Sequence, residues 1–85
     1  MAILGVAQAY EAIYTDDGKV TWAFNLSSNG QQQNGFSFKA DIGANYNSVQ
    51  SDCVAAIKTY MESIFSITFG QNDTIELYMP DRYVQ

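Results

Sequence analysis

Val20-Thr21-Trp22-Ala23-Phe24-Asn25-Leu26-Ser27 decides the fold. Val20, Trp22, Phe24 and Leu26 fall on one side of an extended chain, and Thr21, Ala23, Asn25 and Ser27 on the other. A period of two with one apolar side is the pattern of a half-buried strand. A second segment repeats it: Phe36, Phe38, Ala40 and Ile42 alternate with Ser37, Lys39 and Asp41. Paired, the two strands put Trp22, Phe24, Phe36 and Phe38 on a single face, which needs a cover.

Residues 48–65 supply that cover. Val49, Cys53, Ala56, Ile57, Tyr60 and Ile64 recur at intervals of three and four, the spacing of one helical face. Asn47 is placed to cap the helix, with Gln50 three residues on and Asp52 in the opening turns, where the helix dipole favours a carboxylate. The helix is expected to stop near Phe65, and residues 66–69 fit helix or strand. Trp22, Phe24, Phe38, Ile57 and Tyr60 are expected to share one cluster between sheet and helix.

Working outward, residues 3–15 are rich in β-branched, tyrosine and alanine side chains and read as a first strand. It ends at Asp16-Asp17-Gly18-Lys19, a hairpin-turn sequence. Residues 28–35, Ser-Asn-Gly-Gln-Gln-Gln-Asn-Gly, are wholly polar and read as a surface loop that could order on a partner. Thr74 to Met79 form a last strand closed by Pro80, and Asp81 to Gln85 a loose tail. The expected architecture is α+β: an antiparallel sheet of about four strands, one helix across one face, order β-β-β-α-β, in a single domain over residues 1–85. No internal repeat and no linker interrupts it.

Composition sets the limits on function. The chain has 85 residues, 47% hydrophobic and 14% aromatic, enough for one small core. Charged residues make up 15%, and no apolar run approaches the roughly 18 residues that span a bilayer. Nine carboxylates face four cations, for a formal charge of −5. Lys19, Lys39, Lys58 and Arg82 are scattered. That argues against direct contact with nucleic acid, whose binding requires cations to displace counterions, and against an anionic membrane. The first residues lack a basic segment, so no export signal is expected and the Asn25 and Asn72 sequons read as coincidence. The expected location is cytoplasmic: the host cytoplasm, or a virion for a phage-encoded chain.

Catalytic and metal chemistry find little footing. There is no histidine, which removes Ser-His-Asp and Cys-His arrangements and the commonest metal ligand. The single cysteine, Cys53, lies in the apolar register of the helix, where a thiol behaves as a small hydrophobe. Asp16-Asp17-Gly18 lacks the ligand spacing of a calcium loop, and Gly30 to Gly35 lacks that of a phosphate loop. No pair of carboxylates is brought together by spacing. The reading is no enzyme, no cofactor and no metal.

The first strand carries the best functional clue. By strict alternation Leu4, Val6, Tyr10 and Tyr14 share one face, and Ile3, Gly5, Ala7, Ala9 and Ile13 the other, with Glu11 interrupting. Both faces are apolar enough to be covered, while one helix covers one side only. The expectation is a non-enzymatic protein–protein interaction or assembly protein that homo-oligomerises through its sheet. Its interface would include Tyr10, Ile13, Tyr14, Asp16, Asp17 and Gln32. Its polar, weakly charged composition is of a kind common in small phage virion or accessory proteins. The alternative is an acidic inhibitor of a host enzyme with a basic cleft, such as a nuclease, with Asp16, Asp17, Asp41 and Glu76 as phosphate surrogates.

Overall fold

The computed structural model describes residues 2–81. Strands β1 (Ile3–Thr15), β2 (Lys19–Ser28) and β3 (Gln31–Asp41) are followed by helix α1 (Tyr46–Ile64) and strand β4 (Thr74–Tyr78). They form one four-stranded sheet in the order β3-β2-β1-β4, with α1 packed on one face. The expected β-β-β-α-β order is what the chain adopts.

The sheet is mixed rather than wholly antiparallel, because β4 runs parallel to β1. Connectivity explains this. Two hairpin steps leave β3 running in the direction of β1. One helix crossing then returns the chain to its starting end, so β4 must run the same way.

The β2 alternation holds along its length: Val20, Trp22, Phe24 and Leu26 are at most 1% exposed on the helix side. Val49, Cys53, Ile57 and Met61, one per turn of α1, pack on them. Phe38 and Tyr60 join at the margin, completing the expected cluster. Under the helix β1 carries small residues, Gly5, Ala7, Ala9 and Ala12. A β carbon at Gly5 would lie 2.8 Å from the Ser27 carbonyl oxygen of β2 and 3.1 Å from Met61 Sδ of α1, so the neighbouring strand's backbone, with the helix above it, leaves no room for a side chain there.

Three local expectations are corrected. Residues 28–35 are mostly strand, with only Asn29-Gly30 as a turn between Ser28 and its partner Gln31. Asn29 and Gly30 have φ of 54° and 80°, the positive pair that a tight two-residue hairpin requires. The polar run survives as strand because α1 does not extend over it, so both its faces meet water. The helix is capped by Asn45, not Asn47: the Asn45 side chain accepts from the Ser48 amide at 3.1 Å. Residues 66–69 are neither helix nor strand, but an irregular connector that leaves the helix with Ser66 at φ 55° and in which the Phe69 amide donates to Glu62 at 2.9 Å. Of the tail expected to be loose, residues 82–85 lie outside the described residues.

After β4 the chain turns into the core. Met79 is buried, its carbonyl accepts from the Tyr46 hydroxyl at 2.5 Å, and the Pro80 carbonyl accepts from Trp22 Nε1 at 2.8 Å. Two residues of different elements thus anchor the end of the fold.

Candidate functional site

β1 has 13 residues and β4 only five. The parallel ladder reaches from Ile3 to Gln8 on β1 and stops at Tyr78. From Ala9 onward β1 has a strand neighbour on the β2 side alone among the described residues. This edge starts with a β-bulge. Ala9 pairs with Phe24 and Glu11 with Ala23, so Tyr10 is the extra residue.

The bulge reverses the faces that strict alternation assigns. Beyond it Ala12 and Tyr14 turn to the helix side, opposite Trp22 and Val20, and Glu11 and Ile13 turn to the open side, opposite Ala23 and Thr21. Tyr10, Ile13 and Tyr14 therefore do not form the expected faces. They are 56%, 49% and 55% exposed and surround one end of the edge. The face of Leu4 and Val6 is not the one under the helix; the small-residue face is. Glu11, the charged residue interrupting an otherwise apolar row, was the sequence signal for the reversal. A hollow of about 370 Å³ sits at the bulge, lined by Ala9, Tyr10, Glu11, Ala12 and Pro80.

Asp16 and Asp17 occupy the three-residue loop between Thr15 and Lys19, next to this edge. The Thr15 hydroxyl donates to the Asp17 carboxylate, and Lys39 Nζ lies 3.9 Å from its other oxygen. The Thr15 bond first, and the lysine charge after it, hold Asp17 below the usual carboxylate range. Asp41 is paired with Lys19, whose pKa it raises in turn. Glu76 accepts from the Tyr78 hydroxyl at 2.6 Å beside Val6, nine residues along β1 from Thr15, roughly 30 Å at about 3.3 Å per residue. The four acids named as phosphate surrogates are not brought onto one surface, and two of them face lysines.

Gln32 lies far from Tyr10 and Ile13, in a cross-strand row with Ser27 and Val6 on the open face. The adjacent row holds Tyr78, Gln8, Asn25 and Asn34. This amide-rich patch went unrecognised in the sequence because its residues come from four strands. Cys53 is fully buried, and burial pushes its thiol up to about 12. That is the behaviour of packing, not of a nucleophile.

Among the described residues no group of three or more Cys, Asp or Glu side chains is placed to hold a metal ion. No helix of the described residues is long and apolar enough to cross a membrane. No family model matches the chain, and no curated protein or solved structure matches it either.

Proposed function

We propose that this chain is a non-enzymatic assembly or accessory protein that associates with further copies of itself by pairing at the β1 edge. The observation that carries the reading is the length mismatch between β1 and β4. It leaves Ala9 to Ile13 as an edge whose backbone groups can accept another strand. The large apolar side chains beside it, Tyr10 and Ile13, are half exposed and would be desolvated in the contact. Asp16 and Asp17 sit at its rim.

A two-fold antiparallel pairing suits this edge when centred on Ala12. That register sets Glu11 opposite Ile13 of the other copy; centring on Glu11 would oppose two carboxylates, which destabilises a pair. Light scattering over 1–100 μM tests the reading. The expected mass exceeds the 9.4 kDa of one chain and returns to it in Ile13→Glu, which sets a second carboxylate opposite Glu11 of the other copy. A constant 9.4 kDa throughout overturns self-association, because an interface worth about 8 kcal/mol already assembles at micromolar concentration. An oligomer indifferent to Ile13→Glu overturns the assignment to this edge.

A further inference from the structure

We infer that the open face of the sheet, at the end opposite the β1 edge, is a binding site for a neutral carbohydrate. The site is a hollow of about 210 Å³ lined by Val6, Gln8, Asn25, Leu26, Ser27, Gln32 and Asn34. Its residues come from three adjacent strands, and the pairing register sets them side by side: Gln8 next to Asn25 next to Asn34, and Val6 next to Ser27 next to Gln32. On the β4 side the same rows continue with Tyr78 and Glu76. A rigid sheet thus fixes the spacing of every group in the site.

The lining chemistry selects the ligand class by elimination. No cationic side chain lines the hollow, so it has no charge to set against that of a phosphate or carboxylate. No carboxylate lines it, so a hard cation would meet only neutral amide and hydroxyl oxygens, without the charged ligands that dominate its sites. Leu26 also borders the hollow but is 1% exposed, its side chain packed in the core, which leaves Val6 as the accessible apolar side chain, too little for a lipid or a drug-like ring system. What remains are four primary amides and a hydroxyl. A primary amide carries an acceptor and two donors. It presents them side by side, and so meets a vicinal diol, one hydroxyl donating and its neighbour accepting. Asn25, Ser27, Gln32 and Asn34 spend this capacity on no other described residue, and Gln8 makes only a long 3.5 Å bond to the Ala9 carbonyl.

Tyr78 favours a sugar over a peptide as the source of those hydroxyls. Its ring is half exposed next to Gln8, and the bond from its hydroxyl to Glu76 holds it in place. An aromatic face flanking a cluster of neutral hydrogen-bonding groups suits a pyranose, which presents C–H groups on one face and hydroxyls at its rim. The volume is below the roughly 300–1,000 Å³ of pockets that enclose a drug-sized ligand, so one ring sits in the hollow and a longer glycan extends beyond it.

The test is a titration of ¹⁵N-labelled protein with maltotriose, cellotriose, chitotriose and galactobiose, each to 20 mM, followed by amide NMR. At least one sugar is expected to shift the side-chain amide signals of Asn25, Gln32 and Asn34 saturably. Asn25→Ala and Tyr78→Ala are each expected to weaken that binding at least tenfold, and Lys39→Ala to leave it unchanged. The remaining spectrum of each variant reports whether the fold is intact. Absence of saturable shifts with all four sugars overturns the inference. So does binding that survives both Asn25→Ala and Tyr78→Ala. Shifts of the same amides on raising protein concentration without sugar would assign the face to packing between copies instead.

Discussion

The helix-side face and the open face of the sheet are built from the same strands, yet they are opposites in chemistry. On β2 the two alternate residue by residue: Trp22, Phe24 and Leu26 are sealed under α1, while Ala23, Asn25 and Ser27 between them meet solvent or half meet it. The helix-side face is specified by volume, down to the missing side chain at Gly5. The open face divides in two: an amide-lined end around Asn25 and Asn34, and an apolar end around Ile13 and Thr21. One face therefore carries stability, and the other is the face on which we propose recognition.

The sharpest way to break this contrast is at Phe24. It is fully buried between α1 and the sheet and tilts against Phe36 at 6.3 Å between ring centres. Phe24→Ala is expected to cost about 3–5 kcal/mol, transfer and cavity terms together. That is a large part of the stability of a small domain, about 5–15 kcal/mol. Urea denaturation followed by Trp22 fluorescence measures it. A loss below about 1 kcal/mol would mean that the helix-side face is not the stabilising one.

The helix-side face was legible in the sequence because packing against one helix imposes a single period. Val20 to Leu26 and, on the helix, Val49, Cys53 and Ile57 announce themselves without knowledge of partners, whereas Met61, fully buried one turn on, was passed over for Tyr60 and Ile64, which are only partly buried. Two kinds of feature were not legible. The bulge at Tyr10 and the extra residue at Gly35 each shift parity by one, and alternation read through them assigns the following residues to the wrong side. Ile13 and Tyr14 were misplaced for this reason. The strand character of Gln31 to Asn34 was hidden for another: hydrogen bonding to β2, not burial, makes it a strand, and side-chain polarity does not report backbone pairing. Its one local sign was Asn29-Gly30, a strong hairpin sequence. The amide patch needed register across four strands, which no single segment contains.

A smaller effect sharpens the description of the core beneath α1. Cys53 has its thiol raised by burial from 9.0 to about 12. Between these values the unfolded chain gives up the proton and the folded chain keeps it. The sign of the linkage follows: this contribution to stability is complete below pH 9 and declines as pH rises toward 12. The Tyr46 phenol, also raised by burial first, adds in the same direction. Melting temperature is expected to fall over that range, and less steeply in Cys53→Ala. Iodoacetamide at pH 8.5 should label the thiol slowly in the native state and rapidly in urea. Equal rates would place Cys53 outside the core.

The least effect is expected on the open face, and its sign is opposite. Thr21 lies between Ile13 on β1 and Lys39 on β3, and its hydroxyl oxygen is buried with no hydrogen-bond partner. Shielding by its neighbours keeps water from this atom, although the residue belongs to the solvent side of the sheet. A hydroxyl in that position has lost its hydration and gained nothing, whereas a methyl group would fill the same space at no desolvation cost. Valine matches threonine in shape and in its preference for strands. Thr21→Val is therefore expected to stabilise the domain by about 1 kcal/mol, read in the same urea titration. A loss of stability would mean that the hydroxyl has a partner, and that the apolar end of the open face is wetter than its packing implies. A gain would mark Ile13, Thr21 and the Lys39 stem as a dry patch already formed in the single chain.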